Sequence, residues 1–214
     1  MIAASDNPFR MQRIEQVRFE LQGADWPALM RRLETLRYRA AIVGPHGSGK
    51  TTLTEHLAPR LEAIGYTVRL LRMNTDDGRA LPAAWRDALA TLTVHHILIA
   101  DGYDLLHPLA RRRLRRATRA AAGLVVTTHR RTTRLPTLIH CRTSPALLGR
   151  LVTDLLGRPL PEPVITALHH RHCGNLRDAL RELYDRAAEQ RPPVAAAHLG
   201  ELTPRNKRPR QGSP

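Results

Sequence analysis

The chain has 214 residues, 42% of them hydrophobic, enough to bury a core and to exclude wholesale disorder or a fibrous repeat. It carries 34 basic against 19 acidic residues, a formal charge of +15, so its partners are expected to be anionic: nucleotides, nucleic acid or an anionic surface. Aromatic residues make up only 4%, which argues against a protein that binds single strands by stacking bases on aromatic platforms.

Residues 1–37 read as an N-terminal extension carrying one helix. Ser5 to Arg10 suggest an extended lead-in, and Val17, Phe19 and Leu21 alternate with polar residues as in a strand. Asp25 fits an N-cap, with Pro27 in the first turn and Leu29, Leu33 and Leu36 at helical spacing, which predicts a helix over 26–37. Arg39 to Val43 is a short buried strand that runs into a Gly-rich turn. A helix over 50–64 follows, with Leu53, Leu57, Leu61 and Ile64 on one stripe, an expected kink at Pro59 and a stop at Gly65. Thr67 to Met73 reads as a second strand, Asn74 to Arg79 as a polar loop, and Leu81 to Thr91 as a helix.

His96 to Ala100 is a third strand, apolar after the histidine, as a sheet covered on both faces requires. An Arg-rich helix is expected over 105–122, with Leu106, Ala110, Leu114, Ala117 and Ala121 on its inner face. Leu124 to Thr128 and Leu138 to Arg142 read as strands four and five. Strands alternating with helices imply a parallel α/β sheet over 38–143. After Thr143 only helices follow: one opened by Ser144-Pro145 and closed by Gly157 and Pro159, then 163–172 and 175–190. Residues 144–190 thus form a small helical subdomain. Residues 191–214 turn to Pro, Ala and Arg and read as a disordered basic tail. Two cysteines, Cys141 and Cys173, are too few for a disulfide framework. No apolar run approaches the ~18 residues that span a bilayer, and no signal peptide is evident. A soluble cytoplasmic protein with no membrane partner is expected.

Gly44-Pro45-His46-Gly47-Ser48-Gly49-Lys50-Thr51 matches G-x-x-x-x-G-K-[ST] without a gap. The spacing has a physical reason. Glycines let the backbone curl so that successive N–H groups point at phosphate oxygens. The helix that opens at Lys50 adds the partial positive charge of its N-terminus. Such a lysine reaches the β- and γ-phosphates, and the Thr51 hydroxyl ligates Mg²⁺. Cofactor binding is therefore expected along Gly44, Pro45, His46, Gly47, Ser48, Gly49, Lys50, Thr51 and Thr52. Only two of the basic residues are lysines, Lys50 and Lys207, so the retention of lysine here is informative.

A second acidic element follows. The apolar run Ile97 to Ala100 ends in Asp101, the pattern that holds Mg²⁺ together with the loop hydroxyl. The next residue is Gly102, where many hydrolytic relatives of this motif place Glu. Asp104 is the nearest carboxylate beyond it. It either takes the water-positioning role or N-caps the helix expected near Leu105. Thr128, at the next strand end, offers a hydroxyl to water or to a γ-phosphate oxygen, or is ordinary strand-end polarity. His129 follows it.

The loop, the strand-terminal Asp101, the hydroxyl at Thr128 and Gly174-Asn175-Leu176-Arg177 in the helical subdomain together resemble an ASCE-class P-loop ATPase of the AAA+ type. The resemblance covers roughly residues 38–190. It implies a three-layer P-loop NTPase sandwich whose five parallel strands run in the order 5-1-4-3-2, with a C-terminal helical lid. It implies that Arg177 reaches the nucleotide phosphates from that lid. It also implies homo-oligomers whose neighbouring subunit supplies an arginine, with Arg130, Arg131 and Arg134 as candidates. The departures are Gly102, the small size and the short lid.

The implied activity is ATP binding with weak or partner-stimulated hydrolysis. ATP is preferred over GTP only because no Asn-Lys-x-Asp guanine motif is present. The catalytic set would be Lys50, Asp101, Asp104, Thr128 and Arg177, with Mg²⁺ on Thr51 and Asp101. Two alternatives stand beside it. A small-molecule or nucleoside kinase uses the same loop, but it needs an arginine-bearing insertion that Thr133 to Thr137 is too short to provide. A nucleotide-switched nucleic-acid binder would use the Arg111–Arg119 helix and the basic tail, against the simpler reading of a solvated helix face. His169, His170, His172 and Cys173 have metal-like spacing but lack a partner pair, and read as a helix end.

Overall fold

The computed structural model describes residues 7–9, 25–73, 81, 83–130 and 134–189. Contacts divide them into two units, one of residues 25–142 and one of residues 7–9 with 143–189. The strand expected around Val17 to Leu21, the loop 74–79 and the tail 191–214 lie outside the described residues.

The first unit is an α/β sandwich. Its elements are α1 (Trp26–Thr35), β1 (Arg39–Val43), α2 (Lys50–Ala63), β2 (Thr67–Arg72), α3 (Ala83–Ala90), β3 (His96–Asp101), α4 (Pro108–Ala117), β4 (Gly123–Thr128) and β5 (Thr137–His140). The strands form one sheet in the order β2-β3-β4-β1-β5, every pair parallel. This is the order the family resemblance implies. Alternation along each strand builds the two faces. Ala40, Ile42, Ile97, Ile99 and Val125 pack with Leu29 and Leu33 of α1 and Leu53, Leu57 and Leu61 of α2. Ala41, Val43, Leu98, Ala100, Leu124 and Val126 pack with Trp85 of α3 and with Ala110 and Leu114 of α4. Three layers result because the central strands are apolar on both sides.

Helix boundaries follow local chemistry. Asp25 caps α1 by accepting from the Ala28 N–H at 2.6 Å. Helix α2 runs through Pro59 to Ala63, and Gly65 takes the left-handed conformation after it. Ile64 is 53% exposed, so the buried stripe ends at Leu61. The Arg-rich helix is shorter than expected. Pro108 fixes its first turn, His107 caps it, and a single 3-10 turn over Tyr103–Leu105 precedes it. Its inner stripe continues from Leu114 to Thr118, which is fully buried, while Ala117 faces out. The Thr118 hydroxyl donates back to the Leu114 carbonyl at 3.0 Å, which satisfies it inside the core.

The second unit holds α5 (Pro145–Leu156), α6 (Glu162–Arg171) and α7 (Leu176–Glu189). Ser144 caps α5 through its hydroxyl to the Leu147 N–H, and Gly157 closes it in the left-handed conformation. Leu148, Val152, Ile165, Leu168, Leu180 and Leu183 form its core, joined by Phe9. The expected extended lead-in is a turn at Pro8 and Phe9: the Asn7 side chain accepts from Phe9 N–H and donates to the Tyr184 carbonyl, both at 3.0 Å. The segment read as one N-terminal extension is therefore shared, with α1 on the sheet and Phe9 among the helices.

Glu182 ties this unit together. Its carboxylate accepts from Arg171 and His172, each at 2.5 Å, and from Arg186. Burial works to raise its pKa, but the hydrogen bond from His172 and the charges of Arg186 and Arg171 outweigh it, so the carboxyl titrates below its ordinary value. A lowered folded pKa means stability that is fully present above the unfolded value and lost as pH falls below about 4. Glu182→Gln is expected to cost about 1–2 kcal/mol near neutral pH, with the gap to wild type closing at the acid end of a denaturant-midpoint series.

Candidate nucleotide site

The site lies at the carboxyl ends of β1, β3 and β4, where open parallel sheets bind ligands. Register sets its geometry. Val43 pairs with Thr128 and Ala100 with Val126, so the loop after β1 begins beside the ends of β3 and β4. Gly44 donates its N–H to the Thr128 carbonyl at 3.1 Å, which anchors the start of the loop to β4. A Cβ on Gly44 would lie 2.5 Å from the Cys141 carbonyl oxygen, so no other residue fits there. Gly47 and Gly49 adopt φ of 66° and 82°, the left-handed values that curl the loop inward. Ser48 Oγ donates to the Pro45 carbonyl at 2.8 Å and stiffens the curl.

Lys50 is folded into this curl. It is 8% exposed, and its ammonium donates to the Gly44 and Pro45 carbonyls, each at 2.7 Å. The loop thus already surrounds one cation with oxygen acceptors at the N-terminus of α2. Beside it, Thr51 Oγ1 donates to Asp101 Oδ2 at 2.8 Å. The two residues expected to hold Mg²⁺ are therefore in contact. A hydroxyl and a carboxylate are the hard oxygen donors that suit Mg²⁺, so this donor set fits the ion. Pro45 and His46 are exposed on the loop, and Thr52 is half-buried on the first turn of α2.

The hydroxyl from β4 that reaches this centre is not the expected one. Thr127 Oγ1 donates to Asp101 Oδ1 at 2.5 Å and accepts from the Gly102 N–H at 2.8 Å. Thr128 is fully buried, and its hydroxyl donates to the Arg130 carbonyl at 2.9 Å. Which of two adjacent threonines faces Asp101 depends on the β3–β4 register, and the sequence offers no signal for it beyond the rule of alternation.

Asp104 is not a helix cap. It sits in the 3-10 turn, and Oδ2 accepts from the His129 backbone N–H at 2.9 Å and from the His129 ring Nδ1 at 2.6 Å. The His129 ring stacks on His46 of the loop with centroids 3.6 Å apart. His46, His129 and Asp104 thus form a continuous row from the loop to the turn after β3.

No protein-family model and no curated protein sequence matches the chain. Solved structures do. A single-residue variant of RuvB from Thermotoga maritima aligns at TM-score 0.50 and 18% identity, over 73% of this chain and 58% of that one. The chain has an AAA+-like P-loop NTPase fold. RuvB from the same organism, described as a Holliday junction branch migration motor, aligns at TM-score 0.49 and 17% identity over 73% and 58%. PCH-2 of C. elegans aligns at 0.42 and 12% over 76% and 67%. The chain spans less than two thirds of the length of these RuvB structures.

Arg177 is exposed on the first turn of α7, in the helical unit. Arg130 follows β4, Arg134 is exposed before β5, and Arg131 lies outside the described residues. Cys141 is buried behind Gly44. Desolvation pushes its thiol pKa up to about 11 against the opposing charge of Lys50, so it is a neutral packing group. Among the histidines at the end of α6, His172 pairs with Glu182, and His169 Nε2 lies 3.4 Å from Thr143 Oγ1. Among the described residues, no helix is long and apolar enough to cross a membrane.

Proposed function

We propose that the chain binds ATP with Mg²⁺ on the loop Gly44–Thr52 and hydrolyses it slowly, or faster when a partner engages. One observation carries this reading: a complete phosphate loop with buried Lys50 at its centre and the Thr51–Asp101 contact beside it. Phosphate oxygens would replace the Gly44 and Pro45 carbonyls on Lys50, and the loop N–H groups would receive the remaining oxygens. Thr51 and Asp101 would hold Mg²⁺, whose bound charge neutralises the β- and γ-phosphates. Arg177 would sense the nucleotide from the helical unit, and an arginine from a second copy would complete the site. Calorimetric titration of the full chain with Mg-ATP tests the reading. Micromolar binding that requires Lys50 supports it, and absence of binding overturns it.

A second reading concerns a partner. Arg112, Arg115, Arg116 and Arg119 of the α4 segment, with Arg134, line an open concavity of about 530 Å³. Among the described residues no carboxylate pairs with any of them. Five guanidinium groups around one depression fit the phosphate backbone of a nucleic acid, and ATP-dependent change would then regulate its binding. Duplex DNA is expected to bind with a steep salt dependence. Arg112→Gln, Arg115→Gln and Arg116→Gln together should weaken binding of all sequences alike and lower the log–log salt slope by about 2–3. Fluorescence anisotropy across a salt series measures both quantities.

A further inference from the structure

We propose that His129 and Asp104 are the water-activating pair of this site, His129 as the base and Asp104 as the residue that positions it. The inference rests on the nucleotide reading above and names the groups that carry out its hydrolytic step.

Asp104 Oδ2 takes two hydrogen bonds from His129, one from the backbone N–H and one from ring Nδ1. A carboxylate only accepts, so Nδ1 carries a proton, and in the neutral imidazole the lone pair is then on Nε2. Among the described residues Nε2 has no hydrogen-bond partner. The imidazole side chain is 25% exposed and the carboxylate 16%, so the pair is largely sheltered from solvent.

Stacking on His46 sets the ring against the phosphate loop, and the anchor from Gly44 N–H to the Thr128 carbonyl fixes β4 one residue before His129. The turn that carries Asp104 is itself clamped. Arg111 Nε donates to the Leu106 carbonyl at 2.8 Å, and Arg111 Nη2 to the Asp104 carbonyl at 2.6 Å. The other carboxylate oxygen, Asp104 Oδ1, is buried and has no hydrogen-bond partner among the described residues. Leaving a buried carboxylate oxygen without a partner costs free energy. A carboxylate meant to stabilise a transient imidazolium gains from that uncompensated negative potential.

The need for such a pair is visible at Gly102. That residue follows Asp101 in a left-handed conformation, and a Cβ there would lie 3.1 Å from Met73, so the chain offers no carboxylate directly after Asp101 and a side chain there would be strained. In the proposed step, His129 Nε2 takes a proton from water as the water oxygen bonds to the γ-phosphorus. The bond from that phosphorus to the bridging oxygen breaks, and the electron pair leaves on ADP. The Asp104 carboxylate stabilises the imidazolium, which then returns its proton to solvent.

Two measurements on the full chain test this. In ¹⁵N-histidine NMR without nucleotide, His129 is expected as the Nδ1–H tautomer, and Asp104→Asn should redistribute it. An Nε2–H tautomer in the wild type overturns the proposal with no reference to turnover. In single-turnover phosphate release with protein in excess, His129→Gln should keep Mg-ATP affinity within about threefold and slow the chemical step by about 100-fold or more. Asp104→Asn should slow it by about tenfold or more at similar affinity, and added imidazole should restore part of the rate in His129→Gly. Full turnover in His129→Gln overturns the proposal and leaves the nucleotide reading intact. A wild type that binds ATP but releases no phosphate does the same, and a wild type that does not bind ATP overturns both.

Discussion

Lys50→Ala should lower affinity for Mg-ATP by about 100-fold, the effect of losing two or more charge-assisted hydrogen bonds to phosphate at about 1.5–3 kcal/mol each, partly offset by water. Lys50 is buried at 8% exposure between two carbonyls 2.7 Å from its ammonium. A compact point charge with three donors fits that space, and it can transfer from carbonyl to phosphate by rotating a flexible stem. Lys50→Arg should therefore fail nearly as badly, because a planar fork cannot occupy the same curl. This explains why a chain with almost no other lysine retains one here. Thermal melts give an independent readout. A wild type at 100-fold excess over its dissociation constant gains about 2.7 kcal/mol, and both variants should lose that gain. Unchanged affinity in Lys50→Ala rules out the phosphate assignment of the loop.

Much of the fold is written in local pattern, and the site is only partly so. The run Arg39 to Val43, the Gly-rich turn and the stripe Leu53, Leu57 and Leu61 could be read directly, because burial on two sheet faces and on one helix face imposes simple periods. The limits of α4 could have been read from Pro108, whose fixed φ favours the first turn. The helical spacing of Leu106 pulled the expected start too early. Ala117 and Thr118 were exchanged for a related reason: composition favours alanine inside, whereas the i+4 step from Leu114 puts threonine there, with its hydroxyl turned back onto the helix. Thr127 and Thr128 show the deeper limit. They are chemically identical neighbours, and only pairing with β3 decides which one touches Asp101. The Asp104–His129 bond spans 25 positions and depends on a 3-10 turn, so no local rule contains it.

Gly102→Glu should not confer fast hydrolysis, although it places a carboxylate directly after Asp101 as many hydrolytic P-loop proteins do. Gly102 has φ of 78°, a region that costs an L-residue about 1–2 kcal/mol. Any Cβ there meets Met73 Cβ and the Met73 carbonyl oxygen, each at 3.1 Å, and a Leu105 methyl at 3.3 Å. The Gly102 N–H is also committed to Thr127 Oγ1, which in turn orients Asp101, so the backbone cannot rotate away without disturbing the acidic centre. Strain and crowding together should remove about 2–3 kcal/mol and lower the melting temperature by roughly 5–10 °C for a chain of this size. Gly102→Ala separates the two contributions: it should carry most of the stability loss and no new charge. Turnover should stay at or below the wild-type rate in both variants. If Gly102→Glu instead hydrolyses ATP faster and melts at the wild-type temperature, then the backbone at 102 accommodates a side chain, and the Gly102 turn does not limit the rate at this site.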